Sequence, residues 1–107
     1  MQTIHLKQFG TVLVSRPAGL EAFNAIRPTL DQVKPIQIDF DEVVAVTPSW
    51  FDEFLTQLVS FSSRVVLEPT DNASIRVALP VLIEAHRGDP VAAVLQRLLD
   101  RENNKLR

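Results

Sequence analysis

Seven prolines, Pro17, Pro28, Pro35, Pro48, Pro69, Pro80 and Pro90, punctuate the 107-residue chain at intervals that leave no room for a long uninterrupted helix. Proline lacks an amide donor and clashes with the preceding helical turn, so each position is expected to start, end or bend an element. The segments between them alternate in pattern. Ile4, Leu6 and Phe9 interleave with polar residues, and Gly10 introduces Thr11-Val12-Leu13-Val14, which reads as a β-hairpin over residues 1–14. Behind Pro17, the residues Leu20, Phe23, Ile26, Leu30 and Val33 recur at helical spacing, with a kink or restart expected near Arg27 because of Pro28.

Ile36-Gln37-Ile38-Asp39-Phe40 is a short β-branched run expected in the middle of the sheet. Trp50, Phe51, Phe54, Leu55, Leu58 and Val59 line one arc of a helix, with Asp52, Glu53, Thr56, Gln57 and Ser60 on the other. Its cap is Thr47, followed by a first-turn proline, or Ser49. Arg64 to Glu68 reads as a strand ended by Pro69, and Ala73 to His86 as a helix bent at Pro80. Gly88-Asp89-Pro90 supplies a turn glycine, an N-cap and a first-turn proline for a last helix over residues 89–104. Residues 101–107 read as a fraying polar end.

The order β-β-α-β-α-β-α-α implies one α/β domain over residues 1–107 with its α/β core in 16–86. The expected architecture is a small mixed four-stranded sheet with helices packed mainly on one face.

Scarcities narrow the chemistry. The chain has no cysteine, three glycines and two histidines, so a disulfide framework, a thiolate zinc site, a dinucleotide fingerprint and a P-loop are not expected. No cofactor and no metal site is expected. Lys and Arg number 11 against 13 Asp and Glu, a balance that argues against nucleic-acid binding. The N-terminus has no apolar signal-peptide core and no run approaches a membrane span, so a cytoplasmic protein without membrane contact is expected.

The stretch PIQIDFDEVVAVTPSWFDEFLTQL, from Pro35 to Leu58, resembles the stand-alone STAS-like family of unknown function and, more distantly, the STAS domains of anti-sigma factor antagonists. A strand ending in Asp-Phe, a hydrophobic loop, a Thr-Pro-Ser step and the helix carrying Phe51, Glu53, Phe54 and Leu55 make the resemblance. It implies a bacterial, cytoplasmic regulatory domain with no catalytic activity, working through a protein partner such as a kinase or an anti-sigma-type regulator. It also implies a phosphorylated control serine at the start of the helix after the central strand, which is Ser49 by position. The antagonists carry an Asp-Ser-Ser-Gly type step where this chain has Thr47-Pro48-Ser49-Trp50.

The residues admit these readings. Ser49 is a helix cap or a phospho-switch whose dianion would sit at the positive end of a helix. Thr47, Pro48, Ser49, Trp50 and Glu53 form the expected partner surface, with Trp50 either a core-rim aromatic or a contact anchor. Val91, Val94, Leu95, Leu98 and Leu99 form a stripe that either packs on the chain's own core or makes a homodimer or scaffold. Asp39 and Asp41 cap a turn or, as an alternative, serve a magnesium-dependent phosphotransfer enzyme. His5 and His86 read as isolated surface or packing residues, and Arg16 as solvated or as an anion contact.

Overall fold

Ile4, Ile36, Ile38, Val65 and Leu67 are buried in register across three strands, and this shared face organises the molecule. The computed structural model describes residues 1–105. β1 (Gln2–His5), β3 (Ile36–Asp39) and β5 (Val65–Leu67) form a parallel sheet in the order β1-β3-β5, with Ile4 opposite Ile38 and Ile38 opposite Leu67. β3 is therefore central, as its β-branched composition predicts. Thr3 and His5 on the other face are exposed, and Gln37, Asp39 and Val66 are half-buried, so the core lies on one side.

The expected hairpin and the four-stranded mixed sheet are both corrected. The described residues form five strands in two parallel sheets, because β2 (Val12–Leu13) pairs with β4 (Ala45–Val46) and not with β1. The cause lies in Leu6–Phe9, which forms a 3-10 turn that sinks Leu6 into the core, followed by Gly10 at φ 127°. That turn carries the chain away from β1 instead of folding it back. β4 is two residues long inside a predicted loop, too short to leave a periodic signal.

α1 (Arg16–Ile26) breaks at the expected point, tightening at Pro28 into a 3-10 turn over Arg27–Thr29, but it does not restart as a helix before Pro35. Val33 leaves the helical face and is exposed. α2 (Pro48–Phe61) buries Trp50, Phe51, Phe54, Leu55 and Leu58, and burial of each Phe or Leu contributes about 1.5–3 kcal/mol over its exposed state. α3 (Ala73–Ala85) runs through Pro80, and α4 (Pro90–Lys105) starts on the Asp89 cap, whose Oδ1 accepts the Val91 amide at 2.8 Å.

The start of the expected fraying end is docked at Arg101 and Glu102. The residues flanking β5 turn the Arg64 carbonyl and the Glu68 amide toward β3, which leaves the carbonyls of Val65 and Leu67 on the free edge. Arg97 and Arg101 of α4 donate to these two carbonyls, and buried Glu102 accepts the Thr70 amide. A strand edge that could otherwise template pairing with another chain is thereby covered. Residues 106 and 107 of the predicted fraying end lie outside the described residues. No helix among the described residues is long and apolar enough to cross a membrane.

Candidate functional site

The two short parallel strands β2 and β4 each run directly into a helix, which brings the N-termini of α1 and α2 side by side at the carboxyl ends of the strands. In open α/β sheets, ligands bind outside the carboxyl ends of the strands. Ser15 caps α1 by accepting the Ala18 amide, and Thr47 caps α2 by accepting the Trp50 amide. The caps are joined: the Ser15 amide donates to Thr47 Oγ1 at 3.3 Å, and the Thr47 amide donates to the Leu13 carbonyl at 2.9 Å. Ser15 holds φ 79° and ψ 147°, a region that L residues with a Cβ rarely occupy. Such backbone outliers cluster at functional sites.

With Thr47 as the cap and Pro48 in the first turn, Ser49 is left in the second helical position. Its hydroxyl is half-buried and 3.4 Å from Thr47 Oγ1. Pro48 is exposed, and Thr47 and Glu53 are partly covered. Trp50 is the member of the expected partner surface that the structure removes. It is only 2% exposed, stacks on Phe54 with centroids 5.0 Å apart, and belongs to the core-aromatic reading.

One turn below Ser49, Arg16 of α1 crosses to α2 and pairs with Asp52 at 2.9 Å and Glu53 at 3.5 Å. Hydrogen bonding to Asp52 raises the Arg16 pKa further. Asp52 continues the network, accepting from His86 Nε2 at 2.5 Å and from Thr56 Oγ1 at 3.3 Å. Burial alone would raise the Asp52 pKa, and the hydrogen bonds from His86 and Arg16 overcome it and hold the carboxyl below its ordinary value. His86 Nδ1 lies 2.9 Å from Asp89. Burial opposes its charge, yet the bonds to Asp52 and Asp89 raise its pKa above the ordinary histidine value. The isolated reading of His86 is thus overturned. The sequence carried a partial signal in the His86-x-x-Asp89 spacing before α4, but Asp52 lies 34 residues away and nothing in the sequence links it to His86.

Asp39 sits elsewhere, at the end of β3. Its Oδ1 accepts the Asp41 amide at 3.1 Å, and its Oδ2 lies 2.7 Å from His5 Nδ1. Burial would raise its pKa, and the bonds from His5 and the Asp41 amide instead lower it. This is the turn-capping arrangement. Asp41 is exposed, and among the described residues no cluster of three or more His, Asp or Glu is disposed to hold a metal ion. Val91, Val94, Leu95 and Leu98 are buried and Leu99 partly buried against the chain's own core. The stripe packs on α3 and β5, the first of its two expected readings.

No family model matches the chain, and no curated protein and no solved structure matches it.

Proposed function

We propose that the chain is a non-enzymatic, STAS-like regulatory domain of the bacterial cytoplasm that acts by docking a protein partner on the N-terminal end of α2, with phosphorylation of Ser49 as its switch. The observation that carries this reading is the division of labour between two adjacent hydroxyls. Thr47 supplies the cap, so the Ser49 hydroxyl, which bonds Thr47 Oγ1, caps no backbone amide among the described residues and stands at the positive end of a helix, which favours an added dianion.

Arg16 strengthens the reading. Asp52 and Glu53 lie three and four residues beyond Ser49, on the same face of α2, and would repel a phosphate there. The guanidinium of Arg16 pairs with both and lowers that repulsion. A phosphate would compete for the same guanidinium, so the added charge changes both the surface a partner meets and the tie between α1 and α2. The strained Ser15, bonded to the Thr47 cap, joins the two helix starts into one surface.

Peptide mapping by mass spectrometry of the protein isolated from its own cells tests the switch. Phosphate on Ser49 in a fraction of molecules that varies with growth condition is the expected result. Unmodified Ser49 under every condition, or phosphate confined to other residues, would overturn it.

A further inference from the structure

We infer that His86 is a protonation-operated clasp that fastens the joint between α3 and α4 onto α2 when its imidazole is charged and frees that joint when it is neutral. The inference stands on geometry and does not depend on Ser49. Both ring nitrogens face carboxylates, Nε2 toward Asp52 at 2.5 Å and Nδ1 toward Asp89 at 2.9 Å. A neutral imidazole has one N–H and can serve one of the two; the other nitrogen then turns a lone pair toward an anionic oxygen. Only imidazolium satisfies both bonds, and each is then charge-assisted.

The charges around the ring are few. From α2 it meets Asp52, whose other oxygen is held by Arg16 of α1, and Arg16 also engages Glu53. Asp89 belongs to the joint itself. Glu84, on α3, pairs with Arg87 in solvent. Thr56, Val59, Ser60, Pro90 and Val91 complete an open cleft of about 270 Å³ beside the ring. The two carboxylates differ in what they can do when the proton leaves. Asp52 is 17% exposed and enclosed by Arg16 and Thr56, whereas Asp89 is 46% exposed, so its Oδ2 can take water in place of the imidazole while Oδ1 keeps the Val91 amide. Release therefore falls on the Asp89 side, where Gly88 at φ 89° gives the joint a residue tolerant of backbone rearrangement.

The direction in pH follows from linkage. The folded-state pKa of His86 lies above its ordinary value of 6.5, so the clasp's stabilisation is complete below that value and is lost as pH rises through the raised one. Asp52 and Asp89 are shifted down and stay charged throughout this window.

The test combines an NMR titration of the imidazole with amide hydrogen exchange in the full chain from about pH 5 to about pH 8, corrected for intrinsic exchange. The reporters are the Arg87 and Asp89 amides, which donate to the Glu84 and His86 carbonyls. Their protection should fall by up to about tenfold per pH unit once pH passes the ordinary histidine value, while β3 is unaffected. His86→Gln should remove the pH step and leave the joint loose throughout. Asp89→Asn, at an exposed position, should lower the His86 titration. Titration of His86 at or below its ordinary value would overturn the clasp, as would a wild-type pH step surviving in His86→Gln. Should His86→Gln fail to fold, an unchanged His86 titration in Asp89→Asn would overturn it equally.

Discussion

Gly19 of α1 lies against the backbone carbonyl of Trp50 in α2, so closely that a Cβ at position 19 would stand 2.5 Å from that oxygen. The contact is backbone on backbone, and it sets how near the two helix starts can come. Gly19 is therefore the residue that allows Ser15 to reach the Thr47 cap.

Gly19→Ala is expected to destabilise the protein by about 1–3 kcal/mol, the range for forcing a methyl group into a packed core. Helix propensity alone would give the opposite sign, since alanine is favoured over glycine by about 1 kcal/mol. Urea denaturation reads the difference, and a raised midpoint would refute the close approach.

Ser15 has the backbone of a glycine and the side chain of a cap. Ser15→Gly relieves strain of about 1–3 kcal/mol and loses a few tenths of a kcal/mol of capping. It should raise the melting temperature. Ser15→Ala keeps the strain, loses the cap and should lower it; equal effects of the two substitutions would contradict the positive φ.

Thr47→Ala removes the α2 cap and the acceptor for the Ser15 amide, and is expected to lower stability by about 1 kcal/mol. Ser49→Ala should cost less, within about 0.5 kcal/mol, because it removes a 3.4 Å hydroxyl–hydroxyl contact and leaves the capped amide satisfied. The reverse ranking by thermal or chemical denaturation would make Ser49 the cap.

Deleting residues 89–107 should abolish cooperative unfolding. It removes buried Leu95 and Leu98 and exposes the β5 edge carbonyls that Arg97 and Arg101 cover. A truncated chain that stays folded while losing only self-association would restore the homodimer reading of the α4 stripe.

The parts legible in the sequence were those with a long period or strong punctuation. α2 was readable from its apolar arc behind Thr47-Pro48, β3 from its β-branched run, and the start of α4 from Gly88-Asp89-Pro90. The partners of β1 and β2 were not, because two short alternating runs on either side of Gly10 fit a hairpin as well as two strands in separate parallel sheets. The candidate site was half legible. The Thr47-Pro48-Ser49 start of α2 follows from local spacing, and Ser49 as a control residue only from the family resemblance, whereas the Arg16, Asp52 and His86 network joins residues brought together only by packing of α1, α2 and the α3–α4 joint. Trp50 illustrates the limit of the helical wheel: its position at the edge of the apolar arc is compatible with exposure until Phe9, Phe54 and α1 close over it.

The central claim is that charge at Ser49 governs a protein contact. Quantitative mass spectrometry of the proteins that co-purify with the wild type, Ser49→Ala and Ser49→Asp chains from the native cells tests it most directly. The account predicts at least one partner whose recovery differs between the Ala and Asp variants, with the wild type between them or matching one. Identical partners in identical amounts from all three, with all three equally folded, would contradict it.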